Sequence, residues 1–153
     1  MHYLVFPHFD YCSVVWTNFN MEHLQSLQVL QNKLARVLLS ADIRTPIDDM
    51  MSSLNWPKLD KRWQNQLLLL IFKCLIHEAP SYLSSQFTFT SSVHSHNTRN
   101  QSSNSLVIPS FNVNAGKRTF LYRAGKTWNS LPCQFRSRAM SMTSNSFKTN
   151  IKM

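Results

Sequence analysis

The chain is poor in glycine. Of its 153 residues only Gly116 and Gly125 are glycine, which excludes the glycine-rich loops that cradle nucleotide phosphates. Long hydrophobic runs are missing too. The longest strongly apolar block, Leu67 to Phe72, is closed by Lys73 and falls far short of the roughly 18 residues a membrane span needs. The N-terminal group Tyr3 to Phe6 is broken by Pro7, His8 and Asp10 before it could serve as a signal h-region. An intracellular chain, cytoplasmic or nuclear and without a membrane partner, is the expectation. Cysteine is sparse as well. Cys12, Cys74 and Cys133 lie about sixty residues apart, which fits neither a metal clip nor a disulfide framework and reads as buried thiols.

The most informative absence is acid. Residues 79–153 hold nine Lys or Arg and no Asp or Glu, whereas residues 1–78 hold seven of each kind, so the whole net charge of +9 sits in the C-terminal half. That asymmetry points to a polyanionic partner, nucleic acid being the commonest inside a cell. A solvated basic surface or tail is the alternative.

Apolar content of 43% is enough for one core. The clearest pattern runs from Glu22 to Leu39, where Leu24, Leu27, Leu30, Leu34, Val37 and Leu38 recur at helical spacing and Gln25, Ser26, Gln28, Asn32, Lys33 and Arg36 fall opposite. Before it, residues 3–19 are aromatic and β-branched. Propensity would allow a strand, but Phe6, Phe9, Cys12 (or Val14) and Trp16 also share a helical face beginning after Pro7, and helix is the reading favoured. Asn18 or Asn20 could then cap the helix that follows. Thr45 as N-cap, Pro46 at the first helical position and Asp48 and Asp49 in the first turn start a short helix that ends near Leu54. Trp56 and Pro57 make a turn. Asp60 caps a further helix to about Ile76, whose buried stripe holds Trp63, Leu67, Leu70, Ile71, Cys74 and Leu75.

The expected fold is mainly α: a small helical bundle over residues 1–85, a polar linker over 86–105 with a composition suited to loop, and a basic extension over 106–153 that is partly irregular. Leu106 to Ile108 reads as a short strand. Lys117 to Trp128 reads as a further helix, and the tail after Arg136 as polar and basic with a last turn at Phe147 to Lys152.

Chemistry finds little foothold. Asp48 and Asp49 could hold magnesium, but helix capping explains them and no third acid lies near. His94 and His96 form an HxH pair without further ligands, which reads as a surface loop. No nucleophile has a recognisable base, and no metal or cofactor is expected. The stretch Lys117 to Trp128 differs, because it interleaves Lys117, Arg118, Arg123 and Lys126 with Phe120, Leu121, Tyr122 and Trp128. Cations neutralise phosphates and rings stack on bases. The aromatics could equally pack on the bundle while the charges alone meet nucleic acid.

Taken in order, several strings resemble a known family. Tyr11-Cys12-Ser13 through Trp16, Leu27 to Arg36, Leu54-Asn55-Trp56-Pro57-Lys58-Leu59 with Arg62, Phe72 to Leu75, Ala79 to Leu83, Thr98-Arg99, Leu106 to Pro109, Phe120 through Trp128-Asn129-Ser130-Leu131-Pro132, and Phe147-Lys148 are similar to the region after the polymerase core in reverse transcriptases of non-LTR (LINE-type, jockey-like) retrotransposons. The resemblance runs from about Tyr3 to Lys152. It departs from the family in having no aromatic-x-Asp-Asp motif, since Pro46-Ile47-Asp48-Asp49 lacks the aromatic, and no endonuclease domain.

What the resemblance implies is a thumb-side helical region plus a C-terminal extension that helps hold template and element RNA. On that implication Lys33 and Arg36 face the nucleic acid, and Arg99, Lys117, Arg118, Arg123 and Lys126 contact phosphates. The chain is then expected to be a non-catalytic C-terminal fragment of an RNA-directed DNA polymerase with RNA or DNA as partner. Two other classes stay open. One is a helical protein-interaction module that meets a polymerase core or itself through exposed apolar faces, and the other is an inactive pseudogene product.

Overall fold

The computed structural model describes residues 2–17, 21–93 and 104–151. The fold is mainly α, as expected, with ten α-helices, one 3-10 turn and no strand among the described residues. The chain divides into two compact units, residues 1–64 and 65–153. Composition placed a boundary near residue 85, but the division falls inside a helix at 64. Polarity changes at 85; packing does not, because the apolar side chains before it share a core with those near the C-terminus.

In the N-terminal unit, α1 (His2–Asp10) runs through Pro7 instead of starting after it. Three-residue spacing on one continuous helix is what brings Phe6 and Phe9, both buried, to the same side. The chain then breaks at Cys12, which takes φ 50°, and α2 (Ser13–Trp16) buries Ser13 and leaves the Cys12 thiol exposed. The proposed caps Asn18 and Asn20 lie outside the described residues.

The long helix α3 (Met21–Leu38) is present, but its inward line is not the one leucine spacing suggests. Gln31 and Ala35 are fully buried, Leu24, Leu27, Leu34 and Leu38 are partly buried, and Leu30 and Val37 face solvent, Val37 at 76%. The reason is a polar task. Gln31 Nε2 donates to the Pro57 carbonyl at 3.0 Å, Gln28 Oε1 accepts from the Leu59 amide at 2.9 Å, and Gln28 Nε2 donates to Gln31 Oε1 at 2.7 Å. Leu59 is the first residue of α5 (Leu59–Leu75), so α3 supplies a partner to an amide that has none within its own helix. Asp60 is therefore not the cap; it sits inside α5, with its side chain accepting from the Lys61 amide.

Similarly, α4 (Ile47–Leu54) begins one residue later than expected, with Pro46, and not Thr45, at the N-cap in extended geometry (ψ 140°) and no side-chain cap bond there. Two apolar clusters hold this unit. Phe6, Ala35, Met50, Met51 and Trp56 form one, with the Phe6 and Trp56 rings edge to face at 5.0 Å; Phe9, Leu59 and Trp63 form the other. Trp63 Nε1 donates to the Phe9 carbonyl at 2.9 Å, and Arg62 grips Asp10 with two hydrogen bonds while its guanidinium lies 4.1 Å over the Phe6 ring.

Three helices stop in the same way. After α3, α4 and α5, Ser40, Asn55 and His77 adopt left-handed φ of 48°, 52° and 58°. Ser40 and Ala41 then return amides to Val37 and Arg36, Asn55 and Trp56 to Ser52 and Met51, and His77 and Glu78 to Cys74 and Lys73. These are paired 6→1 and 5→2 bonds, a motif that usually uses glycine. Neither glycine of this chain is spent there.

In the C-terminal unit, the second half of α5 buries Leu67, Leu68, Ile71, Phe72, Cys74 and Leu75, whereas Leu70, expected inside, is only partly covered. Short helices α6 (Ser81–Ser84) and α7 (Thr90–Val93) follow. Leu106 makes a single antiparallel bridge to Phe89, with Thr90 N bonded to Ser105 O and Val107 N to Thr88 O, each at 2.9 Å. The strand expected at Leu106 to Ile108 is that one bridge, because Asn129, and no second strand, occupies its other side. Of the polar linker, Ser105 is buried; residues 94–103 lie outside the described part.

The tail is not loose. α9 (Cys133–Ala139) and α10 (Ser144–Asn150) fold back on the unit, and fully buried Phe147 stacks on Phe72 with centroids 4.1 Å apart and planes 8° from parallel. Trp128 and Phe135 complete this aromatic group at 6.3 and 5.8 Å from Phe147. Cys133 is exposed, so of the three thiols only Cys74 is buried.

Candidate nucleic-acid interface

The two compact units partition the charge. Residues 1–64 hold six Lys or Arg and six Asp or Glu, so they are neutral; residues 65–153 hold ten Lys or Arg against Glu78 alone, a net +9. The carboxylate of Glu78 itself accepts a hydrogen bond from the Ser144 hydroxyl at the start of α10. A unit with this excess sets up a positive potential that attracts polyanions.

The helix expected from Lys117 to Trp128 is in two parts. Gly116–Arg118 is a 3-10 turn, Thr119 is extended at ψ 150°, and α8 (Phe120–Asn129) begins after it. Lys117 and Arg118 therefore project from a turn ahead of α8. Both are exposed. The turn is shaped by Gly116, where a Cβ would stand 2.4 Å from the Phe111 ring. Gly125 has a like role within α8, since a Cβ there would meet Ile108 at 3.0 Å. Each glycine marks a place where another segment presses against the backbone.

Along α8, Ala124, Gly125 and Trp128 are buried and Lys126 is exposed. Lys126 lies roughly 9 Å along the axis from Phe120, at about 1.5 Å per residue. Arg123 is partly buried, and desolvation pulls its guanidinium pKa below the usual arginine value, so its charge is less open to a ligand than that of Lys126. The aromatics of this helix turn inward. Trp128 is 0% exposed and donates its Nε1–H to the Asn104 carbonyl at 2.9 Å, Phe120 packs edge to face on Phe87, and Tyr122 packs likewise on Phe111.

Of the remaining candidates, Lys33 is exposed on α3 and Arg36 is partly buried, its Nε shut from solvent with no hydrogen-bond partner. Both belong to the neutral N-terminal unit. Arg99 lies outside the described residues, as do His94 and His96. Asp48 is exposed and forms a 3.0 Å ion pair with Lys58. Among the described residues no three His, Cys, Asp or Glu side chains gather as a metal site would require, and no helix is long and apolar enough to cross a membrane.

Sequence reasoning passed over Arg136, Arg138 and Lys148. Arg136 is buried and donates to the Asn129 carbonyl at 2.7 Å, so it closes the C-terminal end of α8 and is no free cation. Arg138 and Lys148 are exposed on α9 and α10. Their signal was the basic tail, but exposed positions could be told from buried ones only once those helices were placed. Neither family models nor curated proteins match the sequence, and no solved structure matches the fold.

Proposed function

We propose that this chain is a non-catalytic C-terminal piece of a retrotransposon RNA-directed DNA polymerase whose basic unit binds RNA or DNA through phosphates. The observation that carries the binding is the partition of charge, with all of the +9 in residues 65–153. The polymerase origin rests on the ordered motif series from Tyr11 to Lys148. Lys117, Arg118 and Lys126 supply exposed cations; Arg123 flanks them, partly desolvated.

Counterion release gives the test. Four phosphate contacts imply a loss of about a hundredfold in affinity for a hairpin RNA between 50 and 200 mM salt, and replacing Lys117, Arg118 and Lys126 by Ala lowers the logarithmic salt slope by about 3. An affinity that ignores salt, or the triple substitution, removes the proposal. Primer extension with magnesium should yield no product, and activity lost in Asp48→Asn would restore an enzyme reading.

One observation favours a second reading as a protein-interaction module. Val29, Leu30 and Val37 lie exposed on α3, and an apolar stripe of that kind suits a partner helix. Sedimentation showing self-association that Val37→Asp abolishes, together with no RNA binding at low salt, would select it.

A further inference from the structure

We infer that the basic unit grips duplex backbone and is blind to bases: its ligand is double-stranded nucleic acid, recognised by phosphate density alone. The inference rests on the nucleic-acid reading above and narrows it. Proteins that hold single strands combine a cationic groove with exposed aromatic rings on which successive bases stack. Here the rings of α8 pack on other rings of the protein, Trp128 fully buried and Phe120 and Tyr122 partly so. Phe120 meets Phe87, Tyr122 meets Phe111, and Trp128 meets Phe147.

Among the described residues of this unit, the strongly exposed aromatic is Tyr82, at 68%, on α6. The exposed cations, by contrast, are spread over four places: Lys117 and Arg118 in the 3-10 turn, Lys126 on α8, Arg138 on α9 and Lys148 on α10. Arg138 lies 5.9 Å from the Phe135 ring, so its guanidinium face already has an aromatic partner within the protein. With no fully exposed ring beside the cations among the described residues, binding free energy comes from phosphates. A duplex carries one charge per about 1.7 Å of axis, and each contact contributes about 0.9 to its salt exponent against about 0.7 for a single strand. From equal affinity at 1 M salt, five contacts separate the two by about tenfold at 0.1 M.

The experiment uses the full chain at 0.1 M salt with four probes: two 20-base-pair duplexes of unrelated sequence, one component strand alone, and that strand with its bases removed. Both duplexes should bind equally within twofold and about tenfold more tightly than the strand. The abasic strand should match its parent, and Tyr82→Ala should change nothing beyond twofold. A strand that binds as tightly as the duplex, a tenfold loss on removing bases, or a tenfold loss in Tyr82→Ala overturns the inference while leaving nucleic-acid binding in place. Absence of binding to every probe overturns both.

Discussion

Asn129 holds Leu106 by both backbone groups. Its Nδ2 donates to the Leu106 carbonyl and its Oδ1 accepts from the Leu106 amide, each at 2.9 Å. One side-chain amide thus does the work of a neighbouring strand, and Leu106, 1% exposed, is bridged to Phe89 on its other side. Asn129→Ala should cost about 2–3 kcal/mol, because two buried backbone groups lose their partners. Asn129→Asp keeps the acceptor and loses the donor, so it should fall between. Urea unfolding measures both; an alanine variant within 0.5 kcal/mol of the parent would show that the amide does not hold this segment.

The Gln28 and Gln31 pair makes a similar claim for the N-terminal unit. Gln28→Ala leaves the Leu59 amide without its side-chain acceptor, and Gln31→Leu leaves the Pro57 carbonyl bare. Each should destabilise by about 1–2 kcal/mol. Had Gln31 been on a wet face, leucine there would be neutral or favourable, so the sign of the change in the thermal midpoint decides between the two placements.

Glycine should improve two helix stops. His77 and Ser40 hold φ of 58° and 48°, a region costing a residue with a Cβ about 1–2 kcal/mol. His77→Gly and Ser40→Gly should each stabilise by roughly 0.5–1 kcal/mol, the gain being reduced by the freedom glycine adds to the unfolded chain. Asn55→Gly should gain less, since asparagine tolerates this region. Destabilisation in all three variants would mean that the left-handed geometry is misassigned.

Thiol chemistry separates the cysteines. Cys12 and Cys133 are exposed and should react with a disulfide reagent at pH 8 in the native protein. Cys74 is buried, and desolvation pushes its thiol pKa up, so it should react only on unfolding. The sign for stability follows. A thiol kept protonated in the folded state contributes stability below the ordinary cysteine pKa and loses it as pH rises beyond, where the unfolded chain ionises first. Cys74→Ala should therefore flatten the alkaline limb of stability against pH. Three fast thiols in the native state would contradict the burial.

Phe147 tests whether the tail is structural. Truncation to Ala at this fully buried ring, which stacks on Phe72 and meets the Trp128 and Phe135 rings, should cost about 3–5 kcal/mol. A loss below 1 kcal/mol would mean that the Phe147 ring does not hold the tail to the unit.

The sequence by itself determined the helical class, the length of α3, the neighbourhoods of α4 and α5, and the confinement of the net charge to one half. These follow from periodicity and counting, which are local properties of the chain. Tertiary structure decided which faces are buried and which charges are open. Gln31 outranks Leu30 because the Pro57 carbonyl, just ahead of α5, needs a donor, and no leucine can supply one. Arg136 turns inward for the same reason, to close the end of α8, while Arg138 and Lys148 stay in water. The boundary at residue 64 and the burial of Phe147 depend on contacts between residues some seventy positions apart, which no local pattern encodes.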